Sequence, residues 1–140
     1  MTANRPIPVP TPLTAGFWDA ARERRLVVRE CSGCGRLFHP PPSQCFACGS
    51  SAMCWREVTG RGSVAEFTVM YSPRVRGFED AVPYVCVLVE LDEQPELMLV
   101  GNLLGDRPVE SVRIGLRVRT RFVDTGQDYV LPQFEAEVTA

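Results

Sequence analysis

Four cysteines stand in two matched pairs, Cys31-Ser32-Gly33-Cys34 and Cys45-Phe46-Ala47-Cys48, separated by ten residues. A glycine follows each pair, Gly35 and Gly49. Glycine permits the tight turn that aims backbone N–H groups at sulfur, and two such turns let four thiolates converge tetrahedrally on one metal ion. The spacing predicts a zinc site with Cys31, Cys34, Cys45 and Cys48 as ligands, iron being the other metal that four sulfurs would accept. Two disulfides are the plainer alternative, but a bridge within one CxxC closes a strained loop. A redox dithiol would come as a single pair beside a βαβ pattern, which is missing here. Four protein thiolates leave a metal no open position for water or substrate, so the expected Zn2+ is structural.

Little else in the chain is equipped for covalent or acid–base chemistry. His39 is the only histidine, no nucleophile-elbow motif occurs, and Cys54 and Cys86 have no recognisable activating neighbour, so they read as small buried groups. The expectation is a chain with no catalytic residues of its own. Three arginines, Arg117, Arg119 and Arg121, alternate with Val118, Thr120 and Phe122. They could form a phosphate site, yet Glu135 and Glu137 recur at the same spacing in the following segment. Antiparallel pairing with a register sum of about 254 would put Arg119 opposite Glu135 and Arg117 opposite Glu137. Paired outer stripes are the favoured reading.

The elements that hold these residues follow from periodicity. Prolines at 6, 8, 10 and 12 favour an extended arm. Thr11 as cap and Pro12 at the first helical position predict a helix of about three turns carrying Phe17, Trp18, Ala20 and Ala21. Arg22, Arg24 and Arg25 close it and suit the macrodipole, a phosphate cluster being the sharper alternative. Leu26 to Glu30 and Leu37-Phe38 read as short ribbon strands around the first knuckle, and Pro40-Pro41-Pro42 as an extended connection to the second.

After the turn expected at Gly60-Arg61-Gly62 the period becomes two. Ala65, Phe67, Val69 and Tyr71 share one face of a strand. Tyr84 to Leu91 and Leu97 to Leu104 form an apolar hairpin about Asp92-Glu93-Gln94-Pro95, with Gly101 allowing a bend or close packing, and the last strand alternates Phe134, Ala136 and Val138 with Gln133, Glu135 and Glu137. The fold class is mainly β: an N-terminal helix, a rubredoxin-like zinc ribbon, then a five-stranded, partly open OB-fold barrel. The divisions are 1–25 for arm and helix, 26–58 for the ribbon and 59–140 for the barrel.

Thr11-Pro12-Leu13 with Phe17-Trp18, the two CxxCG knuckles, Trp55 before Gly60-Arg61-Gly62, Pro83-Tyr84, Ile114-Gly115 with Val118, and Leu131-Pro132-Gln133-Phe134 together resemble one family over essentially the whole chain. It is similar to the acyl-CoA-associated zinc-ribbon/OB-fold family, long catalogued as a domain of unknown function. Gly16 departs from the pattern, which commonly has proline before the Phe-Trp pair. The resemblance implies a noncatalytic accessory subunit of a thiolase-like enzyme, in a thiolase, a hydroxymethylglutaryl-CoA synthase assembly or a steroid side-chain retro-aldolase. In such a complex it stabilises its partner and helps shape an acyl-CoA channel, with a MaoC-like hydratase as a further partner.

A nucleic-acid-binding OB module, with Phe67, Tyr71, Phe78 and Tyr84 as stacking platforms, is one alternative; a free-standing acyl-CoA-binding protein is another. A formal charge of −2 argues against reliance on net attraction to nucleic acid. No run of about 18 apolar residues occurs, and Met1 to Pro12 lacks a signal peptide's apolar stretch, so a cytoplasmic protein without membrane contact is expected.

Overall fold

The computed structural model describes residues 4–138; the first three residues of the expected arm and the last two of the 59–140 division lie outside it. One helix, α1 (Ala15–Arg22), precedes a three-stranded antiparallel ribbon sheet of β1 (Leu26–Cys31), β2 (Leu37–Phe38) and β3 (Met53–Val58), in the order β2-β1-β3. The remaining strands are β4 (Arg61–Met70), β5 (Tyr84–Leu91), β6 (Met98–Leu104), β7 (Arg117–Asp124) and β8 (Val130–Ala136). They form a barrel in the order β4-β5-β6-β8-β7. Where a partly open barrel was expected, the sheet closes through a short parallel pairing, Leu103 with Phe134 and Leu104 with Glu135.

The helix is shorter than expected and begins later. Thr11 and Thr14 instead build a turn of their own, in which the Thr11 carbonyl accepts from the N–H groups of both Thr14 and Ala15. Eight residues suffice because Phe17, Ala20 and Ala21 are buried, which anchors the helix by packing rather than by length. Gly16 has its own reason: a Cβ there would overlap the Trp55 indole on β3, so helix and ribbon approach at a contact only glycine allows. The indole is in turn stacked under Arg29, whose guanidinium carbon lies 4.5 Å from the ring centroid.

Two expectations about β4 are corrected. The turn is made at Gly60 (φ 79°), and Gly62 lies inside the strand, paired with Leu91 on one side and Val118 on the other. A side chain there would overlap the Glu90 carbonyl oxygen. A bulge between Val64 and Glu66 then breaks strict alternation, so Val64 is buried and the partly buried Phe67 and Val69 pack against the same core, while Ala65 only marks the shift. Tyr71 lies past the end of the strand and is 68% exposed, so it is not a core residue. Val138, likewise beyond β8, is exposed.

The hairpin of β5 and β6 pairs as expected, from Val85 with Leu103 to Glu90 with Met98. Val85, Val87, Val89 and Leu91 point into the barrel with Leu97 and Leu99, and Phe134 fills its centre. Gly101 lets β6 pass against the Phe134 ring, the close packing its position suggested. The outer face of this hairpin is also largely apolar, at Tyr84, Cys86, Leu88 and Val100, because α1 and the ribbon loop cover part of it.

Candidate functional site: a four-sulfur centre and an apolar cleft

The knuckles follow directly from their glycines. Gly35 and Gly49 both adopt φ 79°, which brings their N–H groups back to the carbonyls of Cys31 and Cys45 at 2.8 and 2.9 Å. The same turns point N–H groups at sulfur, from Cys34 to Cys31 Sγ at 3.5 Å and from Ala47 and Cys48 to Cys45 Sγ at 3.3 and 3.4 Å. The Cys31 thiol is accordingly lowered to about 6, first by the Cys34 N–H.

The structure brings all four predicted cysteines together, with their sulfurs within 4.8 Å of one another. Cys31 and Cys48 sulfurs are 3.6 Å apart, and those of Cys34 and Cys45 3.7 Å. These separations are far too long for S–S bonds of about 2.05 Å and close to the sulfur–sulfur edge of a tetrahedron with metal–sulfur bonds of about 2.3 Å. The donor set therefore fits a four-coordinate thiolate metal such as zinc. Phe46, between the second pair, projects from the knuckle 81% exposed and meets Phe38 edge to face at 5.9 Å.

The remaining polar candidates are engaged elsewhere. Arg22 donates to the Asp128 carbonyl, Arg24 to the Phe122 carbonyl, and Arg25 pairs with Glu23 and Glu57, so these three do not form a phosphate cluster. On the barrel, β7 and β8 pair in the expected register, Arg119 opposite Glu135. Arg119 Nε lies 2.9 Å from Glu135 Oε1, and Arg121 shares the same carboxylate at 3.6 Å. Arg117 differs. Its guanidinium makes a two-pronged contact with Asp92 at 2.6 and 2.7 Å, with Glu137 at 4.0 Å as a lesser partner. Asp92 is lowered from its ordinary range by the Arg117 hydrogen bonds.

His39 is mostly buried against Phe17, ring centroids 5.1 Å apart, and its Nδ1 has no partner among the described residues. Burial lowers it to about 4, so it is neutral at pH 7. Cys54 and Cys86 are half-buried, not buried. Cys54 donates to the Glu30 carbonyl.

One feature escaped sequence reading. At the junction of α1, the ribbon loop, β5, β6 and β8 lies an apolar cleft of about 510 Å³, within the range of small-molecule sites. Trp18, Pro40, Cys86 and Val100 reach it from four separate parts of the chain. Beside it stands Gln133, expected on the outer face but only 8% exposed, because its Oε1 accepts the Asn102 N–H at 2.6 Å across the seam between β6 and β8. An aromatic pair, Phe78 and Tyr84, borders the cleft, and Arg5 from the N-terminal arm lies over Phe78 at 3.9 Å while donating to the Gly77 carbonyl. The arm is thus tied to its own barrel.

Similarity to known proteins runs over both modules. Residues 18–53 match the family described as ChsH2, rubredoxin-like zinc ribbon domain, and residues 55–123 match ChsH2, C-terminal OB-fold domain. A probable enoyl-CoA hydratase alpha subunit of Thermomonospora curvata is 37% identical over 136 residues, covering 97% of this chain and 41% of its own length. The chain therefore spans less than half of that relative. A DUF35 domain-containing scaffold protein of Pyrococcus furiosus is 33% identical, covering 73% of this chain and 72% of its own. Among solved structures, an Ltp2-ChsH2(DUF35) aldolase superposes with a TM-score of 0.85 at 36% identity, covering 94% of this chain and all of the matched one.

Proposed function

This chain belongs to the ChsH2/DUF35 family of zinc-ribbon and OB-fold proteins, and from that membership we propose that it is a noncatalytic accessory subunit of a thiolase-like acyl-CoA enzyme. The partner is a thiolase, a synthase or a steroid side-chain retro-aldolase, which this chain stabilises while helping to shape the acyl-CoA channel; a MaoC-like hydratase is a second partner. Relatives named as a hydratase subunit, a scaffold protein and a component of an Ltp2 aldolase support this reading.

The observation that carries it is the closed four-sulfur centre. Cys31, Cys34, Cys45 and Cys48 would hold Zn2+ with every coordination position filled by protein, so the metal fixes the ribbon in place and offers no Lewis-acid site. The arginine stripe gives no opening to nucleic-acid phosphates either, since Asp92, Glu135 and Glu137 already neutralise it. Docking falls to surfaces the fold leaves apolar and exposed: Phe46 on the knuckle, Leu13 before the helix and Val9 in the arm. Phe17 is excluded from that surface because it is buried, leaving Trp18 as the helix's half-exposed aromatic. No described helix is long and apolar enough to cross a membrane, and the cytoplasm is the proposed compartment.

Co-expression with a thiolase-like acyl-CoA enzyme from the same source tests the proposal. The two should co-purify, thioester turnover should depend on the pair, and Phe46→Asp should weaken association at least tenfold without loss of metal. Turnover by this chain alone, or a partner enzyme that neither binds it nor gains activity or stability from it, would overturn the reading.

A further inference from the structure

Beside the apolar cleft of about 510 Å³ lies a second cavity of about 250 Å³, lined in part by Arg5 and Arg107. Phe78, Tyr84, Asn102 and Gln133 line both, so these side chains are the wall between them. Three of them stand on strands: Tyr84 opens β5, Asn102 lies in β6 with its Nδ2 donating to the Val85 carbonyl at 3.3 Å, and Gln133 lies in β8, bonded to the Asn102 N–H. Phe78 alone comes from the connection between β4 and β5, residues 71–83, which contains no strand or helix. The Phe78 N–H donates to the Val75 carbonyl and the Ala81 N–H to the Phe78 carbonyl, each at 3.0 Å. These turns shape the backbone and leave the ring to be held from outside.

It is held on two sides. Tyr84 packs against it with centroids 4.8 Å apart, and the Arg5 guanidinium covers it at 3.9 Å. Gly77 (φ 86°) lets the arm pass this closely, since a Cβ there would overlap the Arg5 backbone, and the Gly77 carbonyl accepts from Arg5 Nε at 3.0 Å. Further along the arm Ile7 and Val9 are exposed, and Pro6, Pro8 and Pro10 have no N–H to offer a strand edge. The Arg5 side chain therefore carries the attachment.

We propose that the N-terminal arm is a strap and Phe78 a gate. Arg5 holds the Phe78 ring onto Tyr84 and keeps the two cavities apart; withdrawal of the arm frees the ring and joins them. The joined space runs from the apolar surface at Trp18 and Val100 to the Arg107 guanidinium, so the strap decides whether an apolar and a cationic compartment communicate. The device is independent of the accessory role proposed above.

Two chemical probes of the full, metal-loaded chain read the gate. Trypsin cleavage after Arg74 and Arg76 reports release of the 71–83 connection, and Arg5 itself is spared because Pro6 follows it. Alkylation of Cys86 by iodoacetamide, followed on its own peptide by mass spectrometry, reports uncovering of the wall: Cys86 shares the outer face of β5 with Tyr84 and lines the larger cavity. Arg5→Ala should raise both rates about tenfold, the loss expected for one charge-assisted hydrogen bond and one cation–ring contact. Phe78→Leu, which keeps an apolar side chain but offers the guanidinium no ring, should raise them to the same degree, and the double variant should show no further increase. Arg107→Ala, in the smaller cavity but outside the strap, should change neither rate. Unchanged rates in Arg5→Ala, or effects of the two substitutions that multiply, would overturn the latch. Faster cleavage with unchanged Cys86 alkylation would overturn the gate. Deletion of residues 1–10 leaves Gly77 and Phe78 untouched and must reproduce Arg5→Ala; acceleration at every arginine with a lowered unfolding midpoint would mean loss of the whole fold and overturn the strap.

Discussion

Leu37 and Gln94 exchange two hydrogen bonds, each 2.9 Å: the Leu37 N–H donates to Gln94 Oε1, and Gln94 Nε2 donates to the Leu37 carbonyl. The carboxamide thus occupies the free edge of β2 as a neighbouring strand would, although it comes from the turn between β5 and β6 on the barrel. Glu93, the preceding residue, accepts the Thr59 N–H at 2.8 Å. One barrel turn therefore fixes the ribbon's orientation, and a scaffold that presents a knuckle to a partner depends on that orientation.

Gln94→Ala should cost about 2 kcal/mol, because two half-buried backbone groups of Leu37 lose their partners. The signature in urea unfolding is a lowered midpoint with metal content intact, and a ribbon transition that separates from that of the barrel. A single unfolding transition at the wild-type midpoint would show that packing alone holds the two modules together.

Metal removal should have a more local and larger effect. Structural zinc in small ribbons contributes on the order of 10 kcal/mol to local folding, so Cys34→Ser or Cys48→Ser should abolish binding of the single expected zinc and release residues around both knuckles. The barrel core, which is built from β4 to β8, should keep its amide protection. Elemental analysis and hydrogen exchange read the two halves of this prediction; full metal content in Cys34→Ser would remove that residue from the ligand set.

Much of this arrangement was legible locally. Cysteine spacing marked the knuckles because ligands three residues apart need only one turn, and β5 and β6 announced themselves by their apolar length. The Arg119–Glu135 register could be counted because both strands alternate cleanly and face solvent. What stayed hidden depends on contacts between distant segments. Gln94 looks like an ordinary turn residue, and Gln133 like an outer-face one, until Leu37 and the Asn102 amide are placed beside them. The bulge at Ala65 shifts the pattern by one residue, so that Val64 and not Ala65 is internal, while Tyr71 keeps the parity of Phe67 and Val69 and is exposed only because the strand ends at Met70. The cleft needs four separated segments, so no single stretch could carry its signal.

The Arg119–Glu135 pair gives a prediction with a built-in asymmetry. Both groups remain partly exposed, and such a pair contributes only about 0.2–1 kcal/mol. Arg119→Glu should destabilise by that amount together with modest repulsion from Glu135. Glu135→Arg should restore only part of it, since the new arginine also faces Arg121, which now shares the Glu135 carboxylate at 3.6 Å. A double-mutant cycle repeated in the Arg121→Gln background should show fuller rescue; identical rescue in both backgrounds would mean that Arg121 takes no part.

His39 supplies the pH dependence. Its folded value of about 4 lies below the ordinary value of about 6.5, because burial beside Phe17 disfavours the imidazolium. Between those values the unfolded chain takes up a proton that the folded chain refuses, so acid favours unfolding. The contribution is fully present above about pH 6.5 and is lost as pH falls toward 4, a total of about 3 kcal/mol. Thiolate protonation at the metal centre also weakens the protein in acid, so the decisive quantity is the difference between wild type and His39→Gln. From pH 6.5 to 4, wild-type stability should fall more steeply by up to about 1.4 kcal/mol per pH unit, the slope of one proton. Parallel stability profiles for the two proteins would place the imidazole in water and remove it from this junction.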